Sequence, residues 1–166
     1  VTGEQPLGPP NPVALLFRHV LEARARQLFG PGARVLEPRQ DAGAGGAPFD
    51  GAYAGPGALA DVDLGIWGRT MASALRPGAP VLLCLERRPP GAPRLGLRKA
   101  QARLGPDFTW RGTFGLGIVV PGESWQAWVR GHPQAFGALA AIEGLVRRWP
   151  MLRGLGRYAA IEGARR

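Results

Sequence analysis

The sequence predicts a three-layer α/β domain built on a mostly parallel sheet. Three observations carry this. Val13, Leu16, Phe17, Val20, Leu21 and Leu28 recur at helical spacing. Pro80-Val81-Leu82-Leu83-Cys84-Leu85-Glu86 is an apolar run of the kind that forms a strand covered on both faces. Helix and strand signals alternate along the chain in the order α-β-β-α-β-α-β-α-α-β.

Residues 1–12 read as a flexible Pro/Gly arm, and residues 13–166 as one domain. Asn11-Pro12 supplies an N-cap and a first helical position, and Gly30-Pro31 stops the helix that follows. Ala33–Glu37 predicts a short strand, and Pro38–Pro48 a connector. Phe49–Ala54 predicts a second strand. Asp63 caps a helix that carries Leu64, Trp67, Met71 and Leu75 on one face, and Arg76-Pro77-Gly78 breaks it. After the apolar strand at 80–86, a Pro/Gly loop leads to a basic helix near 94–104. Phe108–Val120 is β-prone but interrupted by Gly112, Gly115 and Gly117. Trp125, Trp128 and Val129 suggest a short helix. Phe136, Leu139, Ile142, Val146 and Trp149 give a longer one, and residues 157–162 a closing strand.

The 166 residues carry 21 Lys+Arg against 12 Asp+Glu, a formal net charge of +9, and all of the cations but Lys99 are arginine. Such a balance raises the question of nucleic acid, but the arginines are scattered, with no aromatic-rich basic stripe, so nucleic acid is not the expected partner. A hydrophobic content of 45% excludes a disordered chain. A single cysteine, Cys84, excludes an internal disulfide framework, and it reads as a buried, inert thiol. No apolar run reaches the roughly 20 residues of a membrane span. No secretory signal is visible either, so a cytoplasmic domain is expected.

Most catalytic motifs fail on spacing. His19, His132 and Cys84 have no metal-ligand spacing, so no metal site is expected. Lys99 is followed by Ala100, which excludes a phosphate loop of the G-x-x-x-x-G-K-[ST] type. Gly122-Glu123-Ser124-Trp125-Gln126 lacks the second glycine of a hydrolase elbow, and Ser124 reads as a helix N-cap. Gly43–Gly46 and Gly115-Leu116-Gly117 read as connector and strand kink. The aromatics of the last third, including Trp110, Trp125, Trp128 and Trp149, read as core material in preference to a pocket lining.

Phe49-Asp50, the acid-capped helix from Asp63 to Leu75, Leu75-Arg76-Pro77-Gly78 and the strand Val81–Leu85 together resemble the second half of class I S-adenosylmethionine (SAM)-dependent methyltransferases. The tail is similar too, with Gly115–Pro121, then a helix, then Trp149–Gly156 and a closing strand. Arg34-Val35-Leu36-Glu37 resembles that family's first strand. The resemblance covers most of residues 13–166 and implies a reduced, Rossmann-like methyltransferase fold.

The family continues from its first strand into a glycine loop of the type E-x-G-x-G-x-G, where this chain has Pro38-Arg39-Gln40-Asp41. The 11 residues of 38–48 leave no room for the family's second and third strands. The strands that remain are its first, fourth, fifth, sixth and seventh, contiguous in the family's sheet order as 1-4-5-7-6. The resemblance implies SAM as cofactor, with Glu37, Tyr53, Ala54 and Gly55 as vestigial cofactor-binding positions. No residue is assigned a catalytic role, and Asp61 and Asp63 are expected to serve the start of the following helix. The expected function is that of a degenerate, non-catalytic binding or partner subunit. The alternative is a minimal active methyltransferase on a small, apolar acceptor. The first strand becomes a sheet edge, so a homodimer or a protein partner is expected through residues 13–48.

Overall fold

A computed structural model describes residues 11–38, 47–87, 96–120, 125–147, 149, 151–152 and 155–166. Most of the N-terminal arm, most of the 38–48 connector with its Gly43–Gly46 run, and Ser124 lie outside these residues.

The first helix, α1 (Pro12–Phe29), begins as its sequence dictates. Asn11 Oδ1 accepts from the Val13 amide at 3.0 Å, and Pro12 occupies the first turn, where no amide is needed. The strand expected at 33–37 contracts to β1 (Val35–Leu36), bounded by the Gly30-Pro31-Gly32 turn and by Pro38. The next is β2 (Gly51–Ala54). Phe49, expected within it, instead makes an isolated parallel bridge to Leu75, because the Phe49 amide and carbonyl are taken by Ala74 and Arg76. α2 (Leu64–Ala74) is capped by Asp63, whose Oδ1 accepts from the Ile66 amide at 2.8 Å. β3 (Pro80–Glu86) is buried from Val81 to Leu85. α3 (Leu97–Leu104) and β4 (Phe108–Leu116) follow.

β4 ends four residues short of the expected Val120 because Gly117 turns the chain at φ 70°, a left-handed conformation that glycine adopts without strain. α4 (Gln126–Gly131) starts from Trp125 at the cap position with no side-chain cap bond, so the cap expected of Ser124 falls instead on Trp125. α5 (Pro133–Val146) stops before Trp149, which the periodicity had placed on its face. β5 (Tyr158–Arg165) runs further than the expected 157–162 because its small residues pair on both sides.

The five strands form one sheet in the order β1-β2-β3-β5-β4. β1, β2 and β3 are mutually parallel, whereas β5 lies antiparallel to both β3 and β4. The sheet is therefore mixed: only β5 reverses direction, but as an inner strand it makes two of the ladders antiparallel. Alternation along β3 separates two cores. Val81, Leu83 and Leu85 face α2 and α3 through Trp67, Met71, Ala100 and Leu104. Leu82 and Cys84 face α1 and α4 through Phe17, Leu21 and Val129. The expected three layers are present.

Gly68 on α2 lies against the backbone of Leu104, and a Cβ there would overlap the Leu104 carbonyl. Gly68→Ala is expected to cost about 2–3 kcal/mol, the range of an overpacked core. Gly137→Ala on α5, where nothing lies within 4 Å, is expected to add about 0.5–1 kcal/mol through helix propensity. Urea unfolding of the two variants checks both signs.

Candidate functional site

In an open α/β sheet, ligands sit outside the carboxyl ends of the parallel strands. Here β1 and β2 meet in register, Leu36 opposite Ala52, so Glu37 and Tyr53 continue side by side toward that end. The structure thus brings Glu37, Tyr53, Ala54 and Gly55 to one corner of the sheet. Ala54 is buried and points into the core beneath α2. Tyr53 turns to the opposite face and packs under α1. Gly55 lies beside it, such that a Cβ would come within 3.3 Å of the Tyr53 hydroxyl. Burial pushes the Tyr53 phenol up to about 12, helped by the negative potential of Glu22 and Glu37. Glu37 itself is exposed.

The neighbouring strand ends are closed by ion pairs. Arg157 Nη2 lies 3.1 Å from Glu86 Oε1, and its guanidinium stands 5.4 Å from the centre of the Tyr158 ring. The Arg87 amide donates to the Arg157 carbonyl at 2.9 Å. Beyond β4, the Glu143 carboxylate of α5 accepts from three successive amides: Ile118 at 3.0 Å, Val119 at 2.7 Å and Val120 at 3.2 Å. Three converging amides make a concave anion site, and the chain's own acid fills it. Glu143 is only 3% exposed.

On the α1 face, Val20, Arg24, Gln27, Phe114 and Arg147 line a shallow cleft of about 70 Å³. Arg24 grips Glu162 of β5 through two bonds of 2.7 Å, and this pairing holds the guanidinium firmly in its charged form. The cleft is therefore floored by a neutralised ion pair. The Cys84 thiol is 1% exposed and is pushed up to about 12 by burial, which leaves it inert as expected. Asp63 is the α2 cap, as expected, while Asp61 lies in the turn before it.

Sequence reasoning missed three acids: Glu86, Glu143 and Glu162. Only Glu143 had a local signal, as the one charged residue of an otherwise apolar helix. The core reading of the late aromatics also needs correction. Phe114 is buried, but Trp125 and Trp149 are 54% and 59% exposed. Trp125 sits edge-on to Trp128, which stacks on His132 at 5.0 Å. Both exposed tryptophans lie on the short α4 and the turns after α5, which no further layer covers among the described residues.

Together these features define a three-layer α/β domain with a small polar corner at the strand ends. Comparison with protein-family models and with curated proteins returns no match.

Glu143→Ala would leave three amides without an acceptor. It is expected to lower stability by about 2–4 kcal/mol in urea unfolding, with Glu143→Gln intermediate because its amide oxygen still accepts. Tyr53 sets an alkaline limit. An unfolded tyrosine ionises near pH ~10. Between there and the folded value of about 12, the unfolded state binds fewer protons, so stability falls as pH rises. Melting curves taken across this window should show that decline, and Tyr53→Phe should flatten it.

Proposed function

We propose that the chain is a class I methyltransferase-like domain, reduced on one flank, that acts as a non-catalytic binding subunit. The observation that carries this reading is the strand order β1-β2-β3-β5-β4. It matches the order 1-4-5-7-6 that the resemblance implies once the second and third strands are removed.

Two features speak against a held SAM. The residue after Glu37 is proline, where the family's loop brings glycine backbone to the cofactor. The space beside Gly55 is taken by the ring of Tyr53. The residues present do not fit the cofactor, and no methyl-transfer step is derived through it.

A binding role has positive support at β1. Among the described residues this strand is the edge of the sheet, paired with β2 alone. Its outer amides and carbonyls and the adjoining half of α1 suit a second protein chain, either another copy or a different partner, at residues 13–48. The other reading, a minimal methyltransferase on a small apolar acceptor, draws on the meeting of Glu37, Tyr53, Ala54 and Gly55 at one corner.

Thermal shift with SAM separates the two. A ligand that binds only the folded state, present at a hundred times its dissociation constant, stabilises by about 2.7 kcal/mol. The melting temperature is expected to stay unchanged at saturating SAM. A clear rise at sub-millimolar SAM would overturn the non-catalytic reading and favour the enzyme.

A further inference from the structure

We propose that α5 is a strap that opens as a unit while the sheet stays folded, with the Glu143 carboxylate on the amides of 118–120 as the latch that keeps it closed. α5 packs unlike the other long helices. Glu143, 3% exposed, is the one buried residue among its 14. By contrast α1 buries Val13, Phe17 and Leu21, and α2 buries Leu64, Trp67 and Met71. On α5, Phe136 and Leu139 are half-buried against the α1-side core, and Ile142 and Leu145 are exposed. Little apolar burial holds this helix down. Low burial is what marks an element that opens ahead of the rest of a domain.

The attachment is polar and concentrated at one point. The Glu143 carboxylate takes all three amides, with the shortest bond, 2.7 Å, from Val119. Val120 is buried in the α1-side core, which fixes the nest to the body of the domain. The two ends of α5 are tied separately. His132 alone joins α4 to α5, and its Nδ1 lies 2.9 Å from the Trp128 carbonyl oxygen. Past the helix, the Arg147 carbonyl accepts from the Gly115 amide at 2.9 Å. A segment tied at both ends and latched between them by one charge-assisted contact has a closed and an open arrangement, and the latch sets the balance.

Once detached, α5 loses its helix. Fourteen residues are marginal for an isolated helix in water. Gly137 and Gly144 weaken it further, and neither is required by packing, since nothing lies within 4 Å of a Cβ at either. Opening therefore unprotects the α5 amides together with those of 118–120, although the two sets lie in different segments of the chain. It also hands the anion-accepting nest, and the apolar surface beneath Phe136 and Leu139, to solvent.

Hydrogen exchange followed amide by amide at low urea tests this. The amides of 137–146 and of 118–120 are expected to share one opening, with protection about a hundredfold below that of 159–164. Glu143→Gln keeps the shape and removes the charge, and is expected to speed both sets by the same factor, about tenfold. Ile161→Val trims the core shared with α2 and α3, which stays folded in the closed and open arrangements alike. It is expected to speed 159–164 about fivefold and to leave 137–146 and 118–120 unchanged. If Glu143→Gln does not fold, the parent and Ile161→Val carry the test alone. Exchange of the α5 amides solely through global unfolding overturns the proposal. So does continued protection of 118–120 while α5 exchanges, an Ile161→Val effect equal at all three sets, or unchanged rates in a folded Glu143→Gln.

Discussion

The strand β5 is hydrogen-bonded along both of its edges, to β3 from Pro80↔Ala164 through Glu86↔Tyr158 and to β4 from Phe108↔Arg165 through Leu116↔Tyr158. It joins β4 to the rest of the sheet and contributes to both cores. Ile161 enters the core shared with α2 and α3, while Tyr158 and Ala160 enter the one shared with α1. The Tyr158 ring meets Phe17 edge to face at 5.7 Å, which sets α1 against the sheet. The two ion pairs that tie peripheral groups down, Arg24 to Glu162 and Arg157 to Glu86, both have one partner on β5 or next to it. Alanines at 159, 160 and 164 keep this strand thin enough for helices to approach from both sides.

The order of elements was legible because each rests on local signals: Asn11-Pro12 and Asp63 at helix starts, Gly30-Pro31 and Pro77-Gly78 at breaks, and the unbroken apolar run at 81–85. What was not legible depends on partners distant in sequence. No local pattern tells that Glu162 meets Arg24, 138 residues away, or that Glu143 turns back onto the amides of 118–120. The periodicity through Phe136, Leu139, Ile142, Val146 and Trp149 predicts a helix with these residues on one face. In fact the helix is apolar on both faces, and Ile142 and Trp149 fall outside. Glu37, Tyr53, Ala54 and Gly55 meet at one end of β1 and β2, since parallel neighbours ending at the same height bring their last residues together. That Tyr53 would turn under α1 and occupy the space beside Gly55 required the packing.

The proposed loss of a cofactor site and the proposed gain of binding surfaces have a common physical origin. In the proposed reading, the short 38–48 connector takes the place of strands beyond β1, which among the described residues is an edge of two residues. At the far side, Glu86, Glu143 and Glu162 are engaged internally, by Arg157, by the amides of 118–120 and by Arg24.

Native-state hydrogen exchange of the isolated chain tests most directly a sheet organised about β5 with β1 as its edge. Amides of 159–164 should exchange only through global unfolding, with the slowest rates in the molecule, while those of 35–37 exchange by local opening at far lower cost. Protection of 35–37 equal to that of 159–164, or exchange of the β5 amides ahead of global unfolding, would contradict it.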